Sequence, residues 1–175
     1  DLGLGFFSSA SINVLATGFA RFISNGGNMR MYINQNLSDE DIEAISSMPT
    51  RMLEEKLIAD VAAMTSLLSK RDKHFFNCLS YLICSHRIAI KIVIPKAGGI
   101  AHQKFGILTD VNNDKVCFSG SLNFTASALL RNIETIDCYT SWEEGNVRRI
   151  KKSEDDFETI FGGKSEAVLT YEPTV

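Results

Sequence analysis

A histidine and a lysine stand two positions apart in an otherwise apolar stretch of this chain, AHQKFGILTD at residues 101–110. Side chains at positions i and i+2 of a strand lie on the same face, so His102 and Lys104 are expected to project side by side. A buried charge costs free energy unless it is paired or used. Because an imidazole can act as a nucleophile or an acid and an ammonium can hold an anion, this pair is a candidate for catalysis.

A second polar group follows in FSGSLNFTAS, at residues 118–127. Gly120, Ser121 and Asn123 lie where a predicted strand ends, and a helix is predicted to begin near Thr125. A serine hydroxyl, an asparagine amide and the N-terminus of a helix can together bind an anion. The three residues are therefore candidate anion ligands.

A carboxylate completes the set, because Glu134 lies in an apolar stretch that predicts a strand at 133–140. The order H-x-K, G-S-x-N and N-x-E resembles the HKD motif of the phospholipase D superfamily, with Asn132 and Glu134 as its last pair. The interval of 11 positions from Asn123 to Glu134 is similar to that of the nuclease branch of this superfamily. Outside the motif, residues 3–34 resemble the opening of phospholipase-D-like domains attached to helicases and restriction enzymes.

One position departs from the motif of this superfamily. The aspartate of the motif usually follows the lysine by five positions, and here that position is Thr109, with Asp110 next. The resemblance implies a structural role for this aspartate, and nuclease-like members tolerate its loss. The departure therefore weakens the match to the motif more than it weakens the prediction of catalysis.

The resemblance implies hydrolysis of a phosphodiester without a metal ion or another cofactor. In the mechanism it implies, one histidine attacks phosphorus and forms a phosphohistidine, a second histidine protonates the leaving oxygen, and water releases the product. His102 corresponds to the nucleophile or to the acid. Lys104, Ser121 and Asn123 correspond to the groups that hold the phosphate, and Glu134 to a carboxylate that orients the imidazole.

This mechanism requires two histidines, whereas the chain offers one motif. His74 and His86 are not followed by the lysine of the motif, and both fall on or at the end of a helix predicted at 66–86. A two-fold axis places the same residue of two subunits opposite each other. We therefore expect a homodimer whose single active site contains His102 from both subunits.

The expected substrate is DNA, and the expected setting is a restriction or helicase-linked protein with further fused domains. A basic run could supply phosphate contacts, although such a run is more often a solvated helix face. The run consists of Arg148, Arg149, Lys151 and Lys152. The net charge of −3 argues against tight DNA binding by this domain alone.

Two other interpretations of the motif remain. A degenerate domain could serve as a DNA-docking or dimerisation module without catalysis, and the displaced aspartate favours this alternative. A phosphodiesterase acting on phospholipids is less favoured, because the chain has one motif and no amphipathic membrane-binding segment.

Helical and strand patterns are interspersed along the chain, which indicates an α/β fold with a mixed sheet flanked by helices on both faces. The strands are predicted at 2–7, 28–34, 88–94, 103–109, 115–119 and 133–140. Helices are predicted from residue 11 to 24, over 66–86 and from a capping box at Ser141 to residue 161. We expect one phospholipase-D-like domain at 1–163 and a tail or linker at 164–175.

The composition suits one globular domain, with 175 residues of which 45% are hydrophobic. No apolar run approaches the roughly 20 residues that span a bilayer, so no membrane partner is expected. The four cysteines form no CxxC pair, which favours free thiols, a reducing cytoplasmic compartment and no zinc site. The chain begins without methionine, so we expect it to derive from a longer protein.

Overall fold

A computed structural model describes residues 1–5, 14–34, 81–83 and 85–172 of this protein. The strands are β1 (Leu2–Leu4), β2 (Met29–Asn34), β3 (Ile88–Pro95), β4 (Phe105–Thr109), β5 (Lys115–Gly120), β6 (Ile136–Thr140) and β7 (Val168–Tyr171). The helices are α1 (Ala16–Ser24), α2 (Ala126–Leu130) and α3 (Val147–Phe161), and a 3₁₀ turn, Glu144–Asn146, precedes α3. Most of the helix predicted at 66–86 lies outside the described residues. Of the part that is described, residues 81–83 are helical.

The seven strands form one mixed sheet in the order β6-β5-β4-β1-β2-β3-β7. The pairs β1–β2 and β2–β3 are parallel, and the other four pairs are antiparallel. Two registers fix the position of the first residue of β4 in the sheet: Gly3 lies opposite Phe105, and Phe105 lies opposite Ser119. The predicted α/β class with a mixed sheet is confirmed.

Alternation along the strands sends apolar side chains to both faces of the sheet. On one face Tyr32, Val93 and Phe105 pack with Phe157 of α3, which is fully buried. The Phe157 ring stacks on Tyr32 at a centroid separation of 5.6 Å and meets Phe105 edge-on at 6.4 Å. This aromatic cluster fixes α3 against the sheet.

The opposite face is covered by other segments. Leu4 and Met31 form one buried cluster there, and Phe19 of α1 packs against Ile88 in a second cluster. Because Met31 and Tyr32 are neighbours in a strand, they necessarily belong to opposite faces. Helices therefore contact both faces of the sheet, α3 on one and α1 on the other.

Two predicted strands begin later than the sequence pattern suggests. β4 begins at Phe105, so His102 and Lys104 lie in an extended segment just before the strand. β6 begins at Ile136, so Glu134 precedes it as well. The ladder between β1 and β4 ends at the Gly3–Phe105 pair, although the Lys104 oxygen still accepts from the Gly120 N–H of β5 at 3.0 Å. The polar residues thus occupy segments at the rim of the sheet.

The predicted tail at 164–175 is wrong for the part that the structure describes. Val168–Tyr171 form β7, which pairs antiparallel with β3 from Ile92 to Pro95. The alternating sequence VLTY supplies a strand that closes this edge of the sheet. These residues therefore belong to the domain.

The predicted capping box at Ser141 is also wrong. The Ser141 hydroxyl accepts a hydrogen bond from the Lys115 backbone N–H at 2.9 Å, so it caps no helix. The chain passes through the 3₁₀ turn, and α3 begins at Val147. By contrast, the helix predicted near Thr125 is confirmed, since the Thr125 hydroxyl accepts from the Ala128 N–H at 3.2 Å.

Two of the four cysteines lie in the described part of the chain, and both are free thiols. Cys117 is buried in the sheet and Cys138 is exposed, whereas Cys78 and Cys84 lie outside the described residues. Among the helices that the structure describes, none has the length and apolar character needed to cross a bilayer.

Candidate active site

Several chain segments end or begin at the same edge of the sheet. β1 runs into Gly5 and β2 ends at Asn34, and the antiparallel β4 starts there after Lys104. β5 ends at Gly120, opposite Ile136 at the start of β6. The edge beyond the carboxyl ends of the parallel strands is where α/β sheets commonly bind ligands. All the residues of the predicted motif except the displaced aspartate lie in the segments that meet here.

Lys104 is buried at this edge, with 5% of its surface exposed. Its Nζ donates a hydrogen bond to the backbone oxygen of His102 at 2.9 Å. In the described part of the chain, no carboxylate lies within 4 Å of this ammonium. Burial lowers the pKa of Lys104, and the charge of Glu134 acts in the opposite direction. A buried ammonium held by a neutral oxygen is well placed to bind an anion.

The side chains of Lys104 and Asn123 converge over Gly5. A Cβ atom at Gly5 would lie 3.3 Å from Lys104 Nζ and 3.3 Å from Asn123 Oδ1. Real Cβ contacts are seldom this short. The absence of a side chain at Gly5 therefore gives the two polar groups the space in which they meet.

If the site hydrolyses the phosphodiester that the motif implies, the substitution Gly5→Ala is expected to lower that activity about tenfold, because it displaces two candidate anion ligands by a few tenths of an ångström. We expect the free energy of unfolding to fall by only about 1 kcal/mol. Steady-state kinetics and thermal unfolding measure the two effects. Gly18→Ala is the matched control, because a Cβ on that helical glycine meets nothing within 4 Å. Equal activity of the two variants would remove Gly5 from the site.

Ser121, Asn132 and Glu134 form a hydrogen-bonded cluster beside this point. The Ser121 hydroxyl donates to Glu134 Oε2, and Asn132 Nδ2 donates to Glu134 Oε1 at 3.1 Å. The Thr135 N–H donates to Ser121 Oγ at 3.0 Å, and the Ser121 N–H donates to the Thr135 oxygen at 3.0 Å. The bonds from Ser121 and Asn132, with a smaller contribution from the Lys104 charge, lower the pKa of Glu134. This carboxylate is therefore charged and holds the 121–123 turn in place.

The sequence-based role of Glu134 differs from this arrangement. The resemblance implied that Glu134 orients the imidazole of His102, but among the described residues its hydrogen bonds are to Ser121 and Asn132. His102 itself is exposed on the segment before β4. The expectation that His102 and Lys104 project side by side is also modified, because one is exposed and the other buried.

Two residues that the sequence pattern did not mark hold the segment of His102. Asn34 is buried, and its Oδ1 accepts from the Ala101 N–H at 3.1 Å. The Tyr32 hydroxyl donates to Gln103 Oε1 at 2.8 Å. The available signal was positional, because Asn34 is a polar residue at the carboxyl end of a buried strand that the sequence predicted.

The predicted basic run divides into two pairs. All four residues are exposed, but Arg149 and Lys152 line a groove of about 390 Å³ and Arg148 and Lys151 do not. The groove extends from the candidate site to one side of α3. Its lining includes His102, Lys104, Gly120, Tyr139, Arg149 and Lys152.

The displaced aspartate lies away from this edge. Thr109 is the last residue of β4 and pairs with Lys115, so it lies five residue steps along the chain from Lys104, about 17 Å at 3.4 Å per step. Asp110 accepts hydrogen bonds from the N–H groups of Asn112 and Asp114, both at 2.9 Å. Its role in this chain is to close the hairpin between β4 and β5.

Across the described residues, no cluster of three or more histidine, cysteine, aspartate or glutamate side chains is arranged to hold a metal ion. Comparison with the models of known protein families and with curated proteins finds no match to this chain.

Proposed function

We propose that this domain is a phosphodiesterase of the phospholipase D type that acts on DNA without a metal ion, within a restriction or helicase-linked protein. One observation carries the proposal. The ammonium of Lys104 is buried without a carboxylate partner among the described residues, next to Asn123 and beside an exposed histidine. A phosphate would supply the missing negative charge, and the histidine would supply the nucleophile.

In the proposed reaction, a ring nitrogen of His102 attacks phosphorus and the bond from phosphorus to the leaving oxygen breaks. The leaving oxygen takes a proton from a second histidine. Water then attacks the phosphohistidine and gives a proton to the second histidine, the phosphorus–nitrogen bond breaks, and a phosphomonoester leaves. Lys104 and Asn123 stabilise the charge on the non-bridging oxygens, and Ser121 and Glu134 keep Asn123 in position.

We propose that the second histidine is His102 of a second copy of the chain, because the motif occurs once. Exposed apolar side chains adjoin the candidate site and support this interface: Ile133 is fully exposed, and Leu130 and Ile136 are also exposed. Large exposed apolar groups beside a polar site commonly mark protein contacts. A two-fold axis through this surface would place both imidazoles at one phosphate.

The purified protein is expected to cleave plasmid DNA and bis-(p-nitrophenyl) phosphate in EDTA, at rates within about twofold of those with Mg²⁺, because no step uses a metal. Light scattering on the same sample should show a dimer. Activity that appears only with an added divalent cation would overturn the metal-independent reaction. An active monomer would overturn the shared site.

A DNA-docking or dimerisation module without catalysis is the second candidate. It is favoured by the motif aspartate, which is displaced into a hairpin, and by Glu134, which is bonded to Ser121 rather than to His102. A dimer that binds DNA but hydrolyses neither substrate would support this candidate.

A further inference from the structure

The groove beside the candidate site extends beyond the space that one phosphate needs. At one end it contains His102 and Lys104, and along α3 it contains Arg149 and Lys152. Its volume is about 390 Å³. A ligand that fills it would contact both the catalytic residues and the helix.

Arg149 is held in this groove by an aromatic ring. Its guanidinium carbon lies 4.2 Å from the centroid of the Tyr139 ring, and the ring is fixed by a hydrogen bond of 3.1 Å between the Tyr139 hydroxyl and Ser153 Oγ. Within the described part of the chain, Arg149 forms no ion pair. A planar guanidinium that stacks on a ring keeps its edge free for a bidentate contact with phosphate.

The neighbouring lysines are already neutralised. Lys152 pairs with Asp156 at 2.6 Å, and Lys151 pairs with Asp155 at 2.8 Å. Asp156 also lines the groove, so its charge would repel a phosphate if Lys152 did not balance it. Among the described residues that line the groove, Lys104 and Arg149 are therefore the cations without an ion pair.

We propose that Arg149 binds a second phosphate of the same strand, adjacent to the scissile one, so that the substrate is a polynucleotide chain rather than an isolated phosphodiester. The proposal rests on the proposed function for the scissile phosphate. It also assigns the phosphate contact to Arg149 and not to Arg148, although the sequence places both in one basic run.

The test compares Arg149→Met with Arg148→Met. Arg148 is the adjacent residue and does not line the groove, so its variant loses the same charge outside the proposed site. Binding of a fluorescein-labelled single-stranded oligonucleotide is measured by anisotropy at several salt concentrations. Arg149→Met should weaken binding about tenfold and reduce the salt slope by about 0.7, the value for one phosphate contact on a single strand. Arg148→Met should change the affinity by less than about twofold.

A kinetic comparison adds a second readout. The ratio of kcat/KM for the oligonucleotide to that for bis-(p-nitrophenyl) phosphate should fall about tenfold in Arg149→Met, because only the longer substrate carries the second phosphate. Arg149→Lys keeps the charge but loses the planar fork, and should lie between wild type and Arg149→Met.

Two results would overturn the inference: equal losses in the Arg148 and Arg149 variants, or equal losses on both substrates. The proposed function can fail separately. If no variant hydrolyses anything, the binding and salt measurements still decide whether Arg149 contacts a strand.

Discussion

The variant His102→Ala is expected to lose hydrolysis of both plasmid DNA and bis-(p-nitrophenyl) phosphate, with kcat lower by about 10⁴-fold or more. The effect is large because the proposed shared site would take its nucleophile and its acid from the same position in two subunits. One substitution then removes both groups. His102 is exposed, so its removal should leave the thermal unfolding midpoint nearly unchanged.

His86 provides the matched histidine control. It has a left-handed backbone with φ of 57°, a conformation that asparagine tolerates well, so His86→Asn removes an imidazole with little strain. This variant should retain full activity. Retained activity in His102→Ala would exclude His102 from the chemistry, whatever the control shows.

Subunit mixing tests the shared site more directly. If wild-type and His102→Ala subunits exchange at random in equal amounts, about a quarter of the dimers carry two imidazoles, and the activity should fall to about a quarter. Independent sites in each subunit would leave about half. The two models therefore predict different residual activities from one sample.

The sequence marked residues that meet at this edge, but it did not predict the hydrogen bonds between them. The spacing of His102 and Lys104 marked both residues, and the strands on either side were recognisable from their apolar alternation. The bond from Ser121 to Glu134 could not be predicted, because it depends on how the turn after β5 meets the segment before β6. Spacing along the chain does not specify which donor a carboxylate accepts.

Other features depend on contacts between distant segments. Gly5 has no sequence signal as a site residue, since its role is the space that it leaves for Lys104 and Asn123. The stacking of Arg149 on Tyr139 depends on the placement of α3 against β6. β7 was assigned to a tail because four residues with weak alternation indicate a strand only when a neighbouring edge is available.

Lys104→Met is expected to lower kcat/KM at least about 10²-fold, the usual loss when one preorganised donor to a developing anion is removed. The same change should leave the protein as stable as wild type or more stable, by about 1 kcal/mol, because an apolar chain of similar length replaces a buried charge without an ion partner. For a domain of this size, 1 kcal/mol corresponds to about 2–4 °C in Tm. Loss of activity with gain of stability distinguishes a functional lysine from a structural one.

The pH dependence of stability has a defined sign. Burial lowers the pKa of Lys104 in the folded protein below its ordinary value of 10.5, so the folded state releases its proton before the unfolded state does. The cost of the buried charge is therefore fully present below the folded pKa and disappears as the pH rises through that pKa to 10.5. The stability advantage of Lys104→Met should shrink over the same range. Denaturant unfolding of both proteins between neutral and alkaline pH measures it.

Lys115→Met is the control for this substitution, because Lys115 is also largely buried but pairs with Glu154 at 3.4 Å. Its loss should destabilise the protein and leave hydrolysis intact. Inorganic phosphate should raise the Tm of wild type and of Lys115→Met but not that of Lys104→Met, since a ligand stabilises only the state that binds it. Unfolding of Lys104→Met at room temperature would instead make Lys104 a structural residue. Lys104 would then be needed for folding, and its burial would no longer support a phosphate-binding site.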